Sequence, residues 1–376
     1  METLQVDATS APSPAGAASE TLSAPLDKIA RVLRAKFFQP HPLFQSGHAQ
    51  TLVAHAWPRR RGLRALRNDE TRLFEVEPGA RVLVHCRWHA DRHAHPTLLL
   101  VHGLEGSSES IYMLGTALKA HRAGFNVLRL NMRTCGETLH LSRTLYHSGM
   151  SPDLRAVIAE LVERDGLTDI FLAGFSLGGN MSLKLAGEYG ADYPPALKGL
   201  CAVSPAVELA ASAASIARRS NLLYQRKFIR SLKRRMREAA TLYPEHYDAG
   251  QLSLVRTLRD FDERYTAPHG GFRDADDYYA RSGSLPLLSR IRIPTLIIHA
   301  EDDPFIPFDS LRHPSIKANP SIIMLAPPHG GHVGFVSNGK TSGEDRFWAE
   351  NRLIEFCQRM NEGMRDEGVT RNVSTP

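Results

Sequence analysis

The sequence predicts an α/β fold: a mostly parallel central sheet with helices on both faces and a helical cap inserted near its C-terminal third. Three observations lead there. Short β-branched or Leu-rich runs alternate with helical patterns from Pro96 onward, the alternation stops between about Ser204 and Leu285, and it resumes with two more strand-like runs.

The chain ends read differently from its middle. Residues 1–25 are rich in Ala, Ser, Pro and Thr and lack a basic segment followed by an apolar one, so they predict a disordered extension and no secretory leader. The polar stretch 361–376 predicts a flexible tail, which leaves a single domain over 26–360. With 376 residues, 42% of them hydrophobic, the chain can bury a large core.

Six runs predict the sheet: Thr97 to His102, Asn126 to Leu130, Ile170 to Phe175, Leu197 to Val203, Thr295 to His299 and Ile322 to Leu325. Arg72 to Glu77 and Arg81 to Trp88 predict an antiparallel hairpin leading in. The clearest helix starts at Ser151-Pro152-Asp153, with Ser151 as N-cap. Leu154, Val157, Ile158, Leu161 and Val162 form its apolar stripe, and Gly166 is its stop.

Residues 206–284 contain no convincing strand and predict the cap. Within it a helix from about Asn221 to Ala239 has Leu222, Ile229, Leu232 and Met236 on one face. Arg226, Lys227, Arg230, Lys233, Arg234, Arg235 and Arg237 cover the rest. Such a cap would lie over the C-terminal edge of the sheet, where open α/β sheets bind ligands.

Composition narrows the function classes. The formal net charge of +6 implies weak attraction to anionic surfaces without implying a nucleic-acid partner. Cys86, Cys135, Cys201 and Cys357 are far apart and form no CxxC pair, which predicts reduced thiols and a cytoplasmic location. The histidines lack metal-ligand spacing, so no metal is expected. No apolar run approaches the ~18 residues of a membrane span, leaving at most peripheral membrane contact through the basic cap.

The chemistry concentrates at strand ends. Ile170 to Phe175 runs into Gly174-Phe175-Ser176-Leu177-Gly178 and then a helical pattern, the strand–turn–helix setting of a G-x-S-x-G nucleophile elbow. The glycines are needed because side chains beside such a strained serine would collide with the tight strand and helix. The helix N-terminus brings the Leu177 N–H and a positive dipole end to a developing oxyanion. Val101-His102-Gly103-Leu104-Glu105-Gly106 offers the Leu104 N–H as second donor. His102 precedes the serine, out of the chain order that the fold's triads follow, and is taken as structural.

After the cap, Ala300-Glu301-Asp302-Asp303-Pro304 places carboxylates at the next strand end. Asp303 is preferred over Asp302 because it stands three residues beyond the small residue closing the strand. Gly330-Gly331-His332-Val333-Gly334 follows the last strand. Its His332, favoured over His329, is suited to take a serine proton near neutral pH once a buried carboxylate orients it.

Together these segments resemble the YheT-like α/β-hydrolases, which include plant and animal abhydrolase-domain lipases and esterases. The resemblance spans roughly Phe37 to Phe356. It also takes in Gly47-His48-Ala49-Gln50-Thr51, Tyr146-His147-Ser148-Gly149 and Phe261-Asp262-Glu263-Arg264-Tyr265. It implies the α/β-hydrolase fold, a triad at Ser176, Asp303 and His332, no cofactor, and hydrolysis of short- to medium-chain or lipid carboxylic esters. Cys135 stands where that family's pattern suggests glycine. The expected partner is a small ester or lipid substrate. An acyltransferase using the same residues, or a binding scaffold without activity, are the alternatives.

Overall fold

A computed structural model describes residues 15–57, 59, 66, 69–339 and 343–373, with side chains described between 25 and 363. Eight strands form one sheet: β1 (Glu70–Glu77), β2 (Ala80–Arg87), β3 (Thr97–Val101), β4 (Asn126–Leu130), β5 (Ile170–Phe175), β6 (Leu197–Val203), β7 (Thr295–Ile298) and β8 (Ile322–Leu325). Their spatial order is β1-β2-β4-β3-β5-β6-β7-β8. β1 and β2 pair antiparallel, as do β2 and β4, and every other pair is parallel.

The inner strands are buried at nearly every position because both faces of the sheet are covered. Along β3, Leu99 and Val101 enter one apolar cluster while Leu98 and Leu100 enter the other, as the two-residue period of a strand requires. Helices α1 (Ala15–Ala35), α3 (Ile111–Arg122) and α9 (Trp348–Val373) cover one face through Leu33, Met113 and Leu353. Helices α4 (Ser151–Glu163) and α5 (Leu177–Tyr189) cover the other through Leu154, Ile158 and Leu185. The remaining helix before the sheet, α2 (Gly47–Ala56), lies against the loop after β8.

Several expectations need correction. Helix α1 starts at Ala15, inside the stretch 1–25 assigned to a disordered extension, since its Ala, Glu and Leu content favours helix; residues 1–14 of that stretch lie outside the described residues. Among the described residues Leu26 is the first buried apolar side chain. At the other end α9 runs on to Val373, beyond the expected boundary at 360; Met360 is the last buried apolar side chain among the described residues. Ser151 is the first helical residue of α4 and Met150 is the cap. The Ser151 hydroxyl is instead committed to Glu188 at 2.8 Å, on α5.

Between β6 and β7 the described residues contain no strand. Helices α6 (Leu209–Ile216), α7 (Leu222–Leu242) and α8 (Ala275–Ser282), with shorter turns, build a cap with its own apolar cluster. Ile229, Leu232 and Met236 of α7 are buried there as expected. Leu222 is not; it lies 39% exposed at the start of the helix, where the turn from Arg219–Asn221 points it outward. Arg235, expected on the solvated basic face, is turned inward.

Candidate active site

β4 lies on one side of β3 and β5 on the other, so chain direction across the sheet switches at β3 and β5. Ligands of open α/β sheets bind at such a switch, beyond the carboxyl ends of the strands. Leu104 follows β3, Ser176 follows β5, Asp303 follows β7 and His332 follows β8, so all four predicted positions come to this edge.

Ser176 connects β5 to α5 with φ 54° and ψ −116°, outside the ordinary regions for a residue with a side chain. Its N–H is held by the Val203 carbonyl at 2.9 Å and its carbonyl accepts the Asn180 N–H at 3.0 Å. The flanking glycines allow this turn: a Cβ on Gly174 would stand 2.2 Å from the Gly178 carbonyl oxygen, and one on Gly178 would stand 2.4 Å from the His102 carbonyl oxygen. Asn180 then ties the elbow to the cap edge, donating to the Ser148 hydroxyl and Ser282 carbonyl at 2.8 Å each and accepting the Ser284 N–H at 2.8 Å.

The Ser176 Oγ lies 2.9 Å from His332 Nε2, and His332 Nδ1 lies 2.8 Å from Asp303 Oδ2. Asp303 Oδ1 accepts the Phe305 and Ile306 N–H groups at 2.8 and 3.0 Å. Burial alone would push the Asp303 carboxyl up, but His332, His299 and the Phe305 N–H outweigh it and hold the carboxyl below its ordinary value. The carboxylate therefore stays ionised and keeps the His332 proton on Nδ1, leaving Nε2 free to accept from the serine. His299, packed below, is driven to about 4 by burial and stays neutral.

Asp302 points elsewhere. Its Oδ1 accepts the Gly331 N–H at 2.9 Å and its Oδ2 meets His329 at 3.2 Å, so it shapes the loop that presents His332. Glu301 is exposed, 3.9 Å from Arg312. His102 is fully buried: Nε2 accepts the Met132 N–H at 3.1 Å, which places its proton on Nδ1 facing the Gly103 carbonyl at 2.8 Å. Burial lowers it to about 4.

Helix α2 supplies contacts that the sequence pattern contained without revealing their use. The Thr51 hydroxyl accepts the His332 N–H at 2.9 Å, and Gln50 bonds both N–H and carbonyl of Val336. The Ser204 hydroxyl accepts the Val333 N–H at 3.1 Å. These bonds brace a loop in which Val333 and Phe335 both adopt positive φ. The segment Gly47 to Thr51 was visible as a motif, but nothing local linked it to a loop some 280 residues on.

Among the described residues, the Leu104 and Leu177 N–H groups have no acceptor within the protein. Both residues line, with Ser176, a cavity of about 100 Å³ to which the cap contributes Ala213, Leu232 and Phe261. Glu105, next to Leu104, has φ 55° and is fastened to the cap by Ser231 and Arg235 and to the sheet side by Tyr146. A serine hydrogen-bonded to a histidine, in a largely apolar cavity also lined by residues with unpaired N–H groups, has the chemistry needed to attack a carbonyl carbon and stabilise the resulting oxyanion.

Comparison with known proteins agrees with this architecture. Residues 96–339 match the family model described as alpha/beta hydrolase fold. YheT of Escherichia coli (strain K12) is 34% identical over 263 residues, 69% of this chain and 76% of that protein. "Phospholipase ABHD3" of Mus musculus is 30% identical over 251 residues, 66% of this chain and 60% of that protein. An esterase of Pyrococcus furiosus of known structure superposes with a TM-score of 0.51 at 15% identity, covering 78% of this chain and 92% of that one, which is a likeness of fold.

Proposed function

Since the chain belongs to the YheT-like alpha/beta hydrolases, a family of esterase and lipase type, we propose that it hydrolyses carboxylic esters, with Ser176, His332 and Asp303 as its catalytic triad. The observation that supports this most is the continuous hydrogen-bonded chain from Ser176 through His332 to the buried Asp303. In this mechanism the Ser176 Oγ attacks the ester carbonyl carbon as His332 Nε2 takes its proton. The carbonyl oxygen becomes an oxyanion held by the Leu104 and Leu177 N–H groups. The intermediate collapses, His332 protonates the departing alcohol, and an acyl group remains on Ser176. Water, deprotonated by His332, then releases the acid.

The apolar cavity suits short- to medium-chain acyl groups or lipid esters. Labelling by a fluorophosphonate probe, lost in Ser176→Ala, tests the nucleophile. Hydrolysis of p-nitrophenyl esters of increasing chain length, with and without an added alcohol, tests the reaction and separates hydrolysis from acyl transfer. An unlabelled wild-type protein with no ester turnover would leave a binding scaffold.

Among the described residues no helix is long and apolar enough to cross a membrane. The outer face of α7 nevertheless supports peripheral contact with anionic lipid. Arg226, Lys227, Arg230, Lys233, Arg234 and Arg237 lie there, and Glu238, 3.8 Å from Arg234, is the only carboxylate pairing with them among the described residues. Leu223 stands 77% exposed beside them. The four cysteines are buried free thiols, which supports a reducing, cytoplasmic setting.

A further inference from the structure

The segment Phe261 to Tyr265 is used by none of the chemistry above, yet it reaches the same cavity. Asp262 opens a π-helical turn, Asp262–Thr266, directly after a short helix at Leu258–Phe261. Such turns are rare and frequent at functional sites. Asp262, His147 and Tyr278 all line the cavity that contains Ser176.

Asp262 is an unusual group to find on an otherwise apolar wall. Its Oδ1 accepts the Thr266 hydroxyl at 2.7 Å and its Oδ2 the Tyr279 hydroxyl at 2.8 Å. A carboxylate has about four acceptor sites, so two remain. Among the described residues no cation pairs with it; Arg259, nearby in sequence, is bound through both nitrogens by Asp276 at 2.7 Å.

Two residues with a proton to donate line the same cavity. His147 Nδ1 accepts the Gly149 N–H at 3.1 Å, which places the ring proton on Nε2, and burial keeps the ring neutral. The Tyr278 oxygen accepts the Ser148 N–H at 3.1 Å, leaving its own proton to donate. One acceptor and two donors around a small cavity complement hydroxyl groups, each of which donates and accepts. An ammonium group fits less well, because Arg259 acts on Asp262 and Arg133, Lys184 and Arg281 act on His147.

We propose that Asp262, His147 and Tyr278 form a polar subsite for a hydroxyl-bearing part of the substrate, so that the preferred esters are those of polyols and not of simple alkyl alcohols. This rests on the esterase reading for its substrate class, while binding at the subsite does not require turnover.

Two measurements test it separately. In calorimetry on the Ser176→Ala protein, the non-hydrolysable ether 1-O-hexylglycerol should bind about ten-fold or more tightly than hexyl propyl ether, the discrimination expected from hydrogen bonds to a charged group. In hydrolysis by the wild-type protein, 2,3-dihydroxypropyl hexanoate should have a kcat/KM about ten-fold or more above that of propyl hexanoate. Asp262→Asn and Tyr278→Phe should each reduce that ratio several-fold, the second serving if the first fails to fold. Equal binding of the two ethers, a wild-type ratio near one, a ratio unmoved by both substitutions, or a preference for hexanoylcholine over the diol ester would overturn the subsite. Absence of all ester turnover alongside tighter binding of the diol ether would instead overturn the esterase reading and leave the subsite standing.

Discussion

Arg235 of the cap helix reaches the Glu105 carboxylate at 3.1 Å, and Glu105 directly follows Leu104, which lines the Ser176 cavity. Arg235 also donates to the Thr134 carbonyl and lies over the Tyr146 ring. The pair is largely buried, with side-chain exposures of 14% and 5%. The cap is thus tied directly to the loop that follows β3.

Arg235→Met should therefore leave a buried carboxylate unpaired and destabilise the protein by about 3 kcal/mol. Glu105→Gln combined with Arg235→Met should cost less than the two single changes added together, and turnover should fall with either. Urea melts of the four proteins give the coupling energy. Strict additivity would show that the two side chains act independently.

Ser176→Ala and His332→Ala should each lower turnover by up to about a million-fold, because members of such a unit fail together. Melting curves should be unchanged. Retention of more than a few per cent of the wild-type rate by either variant would remove that residue from the mechanism.

The neighbouring aspartates should differ sharply. Asp303→Asn disturbs the His332 tautomer and should lower turnover by roughly ten-thousand-fold, by analogy with serine proteases. Asp302→Asn loses only its contacts to Gly331 and His329 and should cost far less. The reverse ranking, in side-by-side ester assays, would transfer the orienting role to Asp302.

Asp262 should give stability a pH dependence. Burial, opposed by Thr266 and Tyr279, raises its carboxyl from 3.8 to about 6, so between those values the folded state binds more protons than the unfolded one. Its contribution is fully present below about pH 4 and is lost as pH rises through 6. The stability of the wild type relative to Asp262→Asn should fall by about 2 kcal/mol between pH 4 and pH 7. Denaturant titrations across that range measure the gap, and a gap independent of pH would mean that Asp262 is not raised.

Reversing the charge of Arg230, Lys233, Arg234 and Arg237 together should weaken sedimentation with anionic vesicles at low salt. Each basic side chain near such a surface adds roughly 1 kcal/mol that salt screens. Turnover of a small soluble ester should be unaffected. If the unaltered protein does not sediment with vesicles, the outer face of α7 is simply solvated.

Strand positions and the serine elbow were legible in the sequence because their causes are local. Apolar runs such as Ile170–Phe175 specify buried strands, and Gly174 and Gly178 are required by atoms a few residues away. Chain order and strand ends were enough to bring Ser176, Asp303 and His332 to one edge. Tertiary structure alone decided the rest. Spacing from Ala300 favoured Asp303 over Asp302, but adjacent aspartates have the same composition and propensity, and the contacts themselves come from the loop path, which sends Asp303 to His332 and Asp302 to Gly331. Arg235 was indistinguishable from the basic residues around it until Glu105, 130 residues away in sequence, gave it a buried partner. Likewise Thr51 and Gln50 brace the His332 loop across about 280 residues. Periodicity reports which face of an element is apolar, but the partner that turns one charged side chain inward comes from a distant part of the chain, and no local pattern encodes it.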